Sequence, residues 1–221
     1  MDPFLIHHLC PHSFMSTPLD QQEHNRKGLI AIARLYSNIV SPPVIFAVMG
    51  LVLALHVLPL GPALAWAATY GFVVSLLPIL FVLWLLRTGR IGELHMSNTA
   101  ERHLPYLAAV LCGILIFSIV TLLNGPAILK CLAVFNIITL SALGLINARW
   151  LISFHATAIA AAWSIFGSQF GWKASLIVLP FVIGVIVIRL YLKRHTAAQI
   201  IAGLLLGVLS VLSLTWFGCF I

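Results

Sequence analysis

Long apolar runs separated by short polar stretches make up most of the chain, and the separators recur at bilayer spacing. Ser41-Pro42 reads as a helix start, with Ser as the cap and Pro at the first helical position. The run it opens lasts to about Leu58 and stops at Pro59. A second run covers roughly 63–86, after Gly61-Pro62. RTGRIGELHMSNTAERHL, residues 87–104, then interrupts the apolar pattern, and Asn98 with Glu101 has the spacing of a helix-capping pair. Residues 105–147 hold two runs divided by the turn signal Asn124-Gly125-Pro126. From His155 to Arg189 is 34 residues, about 51 Å of helix where a bilayer core needs only about 30 Å. GSQFGWK (167–173) offers the bend, so this stretch is two short helices, and residues 197–221 form a last run. The pattern predicts an all-α fold, a polytopic membrane helix bundle of about six to seven transmembrane helices. Residues 28–40, GLIAIARLYSNIV, read as a short interfacial helix, with Arg34 and Tyr36 suited to the headgroup layer. Residues 28–221 then form one transmembrane domain behind a polar, disordered N-terminal tail, 1–27.

Composition agrees. The chain is 62% hydrophobic and 8% charged, against roughly 25% charged in soluble domains. Its net charge of +7 is spread between the apolar runs, which suits membrane lipids as partners and argues against nucleic acid. Cys10, Cys112, Cys131 and Cys219 form no CxxC pair, and three of them lie inside apolar runs as small hydrophobes. No disulfide framework is expected from them. The tail lacks the basic start and apolar stretch of a signal peptide. His7, His8, Cys10 and His12 could ligate a metal, but a tail rich in Pro, Ser and Gln reads as disordered. Asp2 and Asp20 are the only aspartates, and Glu93 and Glu101 are too few for a carboxylate metal site, so no metal and no cofactor is expected. The same scarcity argues against a prenyltransferase or a cytidine-diphosphate-alcohol transferase, which need clustered Asp.

The polar separators carry the candidate chemistry. Two runs lie between 87–104 and Ser153–His155, and two more between that stretch and RLYLKRH (189–195), so all three fall on one side of the membrane. Arg189 and His195 are six residues apart, about 240° around a continuous helix, and cannot share a face. A break after about Lys193 would turn both toward one ligand. Thr196-Ala-Ala-Gln199 has the capping-box pattern for a restart, which sets His195 just before a helix N-terminus that favours an anion. Gln199 either caps that helix or, four residues on from His195, orients the imidazole. The competing reading makes Arg189, Lys193 and Arg194 membrane-surface anchors and His195 incidental.

RLYLKRH followed by Gln199 and the Gly203/Gly207 helix resembles the third motif of the type 2 phosphatidic acid phosphatase/vanadium haloperoxidase superfamily, in its membrane-embedded lipid phosphatase branch. ISFHA (152–156) resembles the second motif, and ERHLP (101–105) the end of the first. The likeness covers roughly residues 90–207. His95 stands where the first motif has Lys, Phe154 where the second has Gly, and Gln199 where the third has Asp. The resemblance implies metal-free phosphoryl transfer. Arg102 and Arg189 would clamp the phosphoryl oxygens, His195 would attack phosphorus, and His155 would protonate the leaving oxygen. Ser153, His95 and Arg194 are further candidate substrate contacts. A lipid phosphate or isoprenyl diphosphate is the implied substrate. The alternatives are a lipid phosphotransferase and a catalytically degenerate protein that binds lipid headgroups.

Charge sets an expected orientation. Arg26, Lys27, Arg34, Arg87, Arg90, Arg102, Arg149, Arg189, Lys193 and Arg194 share the side of the polar stretches, and Lys130 and Lys173 the other. Basic flanks stay cytoplasmic, so a cell-membrane protein with its site facing the cytosol is expected.

Overall fold

Every helix of the computed structural model, which describes residues 18–19, 27–92 and 102–221, begins or ends at one of the polar separators. Among the described residues there are eight: α1 Leu29–Ile39, α2 Pro42–Val57, α3 Leu60–Arg87, α4 His103–Leu122, α5 Ala127–Asn147, α6 Phe154–Phe170, α7 Trp172–Tyr191 and α8 Ala197–Trp216. The chain is a helical membrane bundle. Five helices are long and apolar enough to cross a bilayer, six if the bent pair α1–α2 is taken as one span. The shorter α6, 17 residues, also joins the two ends. Ser153 pairs with Gln199 at one end, and Phe170 lies edge-on to His56 at the other. The outward faces carry Leu111, Ile114, Leu115, Ile177, Leu205 and Leu209, all exposed, as hydrocarbon contact requires.

Three local features shape the site end. In α3, Pro78 has no N–H, and its ring would strike the Val74 carbonyl in a regular α-turn. The chain widens into a π-turn over Phe72–Leu76 just before it. Between α6 and α8 the backbones nearly touch. A Cβ on Gly203 would lie 2.6 Å from the Ser153 carbonyl oxygen, and one on Gly207 would lie 2.3 Å from that of Thr157. Small residues (Ala156, Ala160, Ala161) face them, the close-packing mode of membrane helices. This contact and the Ser153 N–H to Gln199 carbonyl bond (3.1 Å) lock the starts of α6 and α8 together.

Two expectations are corrected. Cys131, in the second turn of α5, is disulfide-bonded to Cys219 just past α8, at the end opposite the polar stretches, and Cys112 is free. The partners are 88 residues apart in sequence, so their adjacency comes from helix packing and no local motif announces it. Tyr36 is not turned out to the headgroups. Its hydroxyl donates to the Phe181 carbonyl of α7 at 3.2 Å, over Gly184, where a Cβ would fall 2.2 Å from that hydroxyl. The amphipathic α1 therefore seats its inner face on α7, leaving Leu29, Ile32, Leu35 and Ile39 exposed. The Asn98–Glu101 cap lies outside the described residues, as does nearly all of the tail. Of the tail's described residues, Leu19 donates its N–H to the Leu192 carbonyl at 3.2 Å.

Candidate active site

The α7–α8 connection solves the problem of a six-residue separation. Lys193 adopts φ 52°, a left-handed conformation usually left to Gly. Around it the Lys193 N–H bonds the Leu190 carbonyl and the Arg194 N–H bonds the Arg189 carbonyl, the Schellman pattern that ends a helix. The chain then reverses into α8. Thr196 Oγ1 accepts from the Gln199 N–H (3.3 Å) and Gln199 Oε1 from the Thr196 N–H (2.9 Å), a complete capping box. Gln199 thus caps α8, and it also lies in hydrogen-bonding range of His195. The outcome is that Arg189, 6% exposed, and His195, 7% exposed, border one cavity.

That cavity has a volume of about 410 Å³. Arg102, His155, Arg189 and His195 meet in it, together with Tyr106 and Asn38. Its other walls are Ser41, Pro42, Pro43, Pro78, Ile79, Val82, Pro105, Ala109 and Phe154, from the start of α2, the second half of α3, and α4 and α6. The result is a polar head and an apolar trough. The π-turn before Pro78 sets the trough's α3 wall. Asn147, at the end of α5, donates to the Tyr106 hydroxyl (2.7 Å) and accepts from the Ile152 N–H (2.7 Å), so it ties α4 to the 148–153 loop. Tyr106 in turn lies in hydrogen-bonding range of Arg102.

His155 and Arg189 are in direct contact. An Arg189 terminal nitrogen (NH2) donates to His155 Nδ1 at 2.8 Å, and the other (NH1) donates to Ser37 Oγ at 3.2 Å. His155 Nε2 faces the Ser37 carbonyl oxygen at 3.2 Å. His195 differs: Nδ1 is buried without a hydrogen-bond partner, while the Leu151 carbonyl and the Gln199 side chain face the ring. Burial first, then the nearby Arg189 and Arg102 charges, push its pKa down to about 3, so the ring is neutral at physiological pH.

The sign of that shift gives a stability prediction. Unfolded His195 takes up a proton below about pH 6.5, whereas the folded site resists it down to about 3. Stability is therefore full above about 6.5 and falls as the pH drops through that window, by about 2 kcal/mol between pH 7.5 and 5. Thermal melts of wild type and His195→Asn at the two pH values check this. The variant should show the smaller decline, and equal declines would contradict it.

The other anticipated residues lie elsewhere. Ser153 is fully buried, with its Oγ accepting the Ala156 N–H as the cap of α6, so it holds up the cavity wall without lining it. Arg194 is half-buried and does not border the cavity, and Arg149 and Lys193 are exposed. His95 lies outside the described residues. Sequence reading missed Ser37, Asn38, Tyr106 and Asn147. The signal for the first two was a polar pair in the last turn of an amphipathic helix that ends just before Ser41-Pro42. Among the described residues, no group of three His, Cys, Asp or Glu side chains is placed to hold a metal ion. No protein-family model matches the chain, and no curated protein or solved structure matches it either.

Proposed function

We propose that this protein is a membrane-embedded lipid phosphatase that works without a metal ion, acting on a lipid phosphate or isoprenyl diphosphate through a phosphohistidine. The observation that carries the reading is the convergence of Arg102, His155, Arg189 and His195 on one cavity whose remaining walls are largely apolar. Two guanidiniums match phosphoryl oxygens bidentately, and the trough suits the first carbons of a lipid chain. The likeness of 189–199, 152–156 and 101–105 to type 2 phosphatidic acid phosphatase motifs points the same way.

In this reading Arg102 and Arg189 hold the phosphoryl group and the N-terminus of α8 adds its dipole. His195, neutral because it is buried beside two arginines, attacks phosphorus with its ring lone pair, and the P–O bond to the lipid breaks. His155, neutral in the empty site, takes a proton from the bound phosphoryl monoanion and gives it to the departing oxygen, and the ring then takes one from water as that water attacks the phosphohistidine. The P–N bond breaks, phosphate leaves with that proton, and both rings return to their neutral starting states. Alcohol in place of water would make the same site a phosphotransferase. The test is phosphate release by purified protein from a panel of lipid phosphates, with EDTA present. Release is expected, and its absence from every substrate would favour a headgroup-binding protein.

The site's face is also proposed. The ten-to-two excess of basic residues in the sequence segments assigned by span counting to the site's side supports a cytosolic orientation, and it stays six to two without Arg102, Arg149, Arg189 and Arg194. The Cys131–Cys219 disulfide at the opposite end supports it independently, because disulfides persist in oxidising compartments. Ser97→Cys, in a background with Cys10 and Cys112 replaced by Ser, should resist an impermeant maleimide in intact cells and react after permeabilisation. Labelling of intact cells would overturn the orientation.

A further inference from the structure

Helix α1 ends against the cavity, and its last turn is wired into the two residues that touch each other there. Ser37 is 7% exposed. Its hydroxyl accepts from Arg189 (3.2 Å) and its carbonyl lies 3.2 Å from His155 Nε2. That carbonyl is one of the last four of α1, which find no partner within their own helix. A guanidinium can only donate, so the His155 Nδ1 it touches at 2.8 Å must carry a lone pair. The ring proton is then on Nε2, where the Ser37 carbonyl accepts it. Tyr36, one residue earlier, anchors this turn through the Phe181 carbonyl above Gly184.

We infer that Ser37 is a positioning residue, which holds His155 as the Nε2–H tautomer and aims the Arg189 guanidinium at the cavity. The contacts form a closed ring of three: Ser37 to Arg189, Arg189 to His155, His155 back to Ser37. An empty site therefore keeps its general acid–base ring parked on Arg189. A phosphoryl anion competes for the same guanidinium N–H groups and, by drawing them away, frees His155 Nδ1 for proton transfer. Without the hydroxyl, Arg189 loses a side-chain tether and the ring is less well aimed. This role rests on the phosphatase reading for its kinetic consequence, but the tautomer does not depend on that reading.

Both are tested on the full-length protein in lipid nanodiscs. Imidazole ¹⁵N spectra, with His155 assigned by difference from His155→Asn, should show a neutral Nε2–H ring in the wild type, and in Ser37→Ala, which keeps the backbone carbonyl but loses the Arg189 tether, the Nδ1 resonance that reports the Arg189 contact should shift. An Nδ1–H ring in the wild type, or identical spectra in the two proteins, overturns the inference whatever the activity. In turnover of a short-chain lipid phosphate, Ser37→Ala should lower kcat about tenfold with KM within about twofold, the loss of one hydrogen bond to a charged group. Ser37→Thr should restore most of the rate. Equal losses in both variants, or no loss in either, overturn the inference. A wild type that shows the expected spectrum but no turnover refutes the phosphatase reading and leaves the tautomer assignment supported.

Discussion

His195→Ala should leave a folded protein that has lost at least about 10³-fold in phosphate release, because the nucleophile has no substitute within the cavity. His195 lies in the connection between α7 and α8. The turn there is held by the Lys193 and Arg194 backbone bonds and the Thr196–Gln199 capping box, none of which uses the imidazole. Its melting temperature should stay within about 5 °C of wild type. His155→Ala should cost about 10²-fold, the usual worth of a positioned acid–base group, with substrate binding retained through the arginines. Steady-state kinetics beside a thermal melt checks all three values. A His195→Ala enzyme at wild-type rate would remove the proposed mechanism.

Arg189→Lys should lower kcat/KM by roughly 10²-fold despite keeping the charge. Arg189 is almost fully buried and uses separate nitrogens for Ser37 and His155, 3.2 and 2.8 Å away. A lysine ammonium is a compact point charge and cannot span two partners with a planar fork. It would also fail to grip two phosphoryl oxygens at once. KM and kcat should both suffer, since the same group binds the ground state and the charge that develops in the transition state. A loss of less than about threefold would show that Arg189 is a structural or membrane-surface residue. Arg194→Lys, off the cavity wall, is the matched control and should stay near wild type.

Much of the fold was legible because lipid leaves the backbone few choices. A run that must satisfy every N–H and C=O internally becomes a helix of bilayer length. Pro42, Pro59, Pro62 and Pro126 therefore placed helix starts and stops to within a few residues. Counting the runs was enough to group the polar stretches at one end. The Thr196–Gln199 pattern likewise stated its capping box outright, because that device is local. What depended on contacts between distant segments stayed hidden. Cys131 and Cys219 look like membrane hydrophobes until packing sets them side by side. Ser153 looks like a ligand contact until its hydroxyl is seen to be used by Ala156. Tyr36 carries the composition of a headgroup anchor, and only the gap over Gly184 shows why it turns inward. Ser37 follows from Tyr36: once α1 is seated on α7, its end can reach His155 and Arg189.

A covalent phosphohistidine on His195 is the central claim, and trapping it is its most direct test. Purified protein in EDTA would be mixed with a ³²P-labelled lipid phosphate, quenched in alkali during turnover, and digested for peptide mapping. Label that survives alkali, is lost in acid and maps to the peptide containing His195 is expected, with none in His195→Ala. Phosphate release that proceeds with no label on that peptide would contradict it.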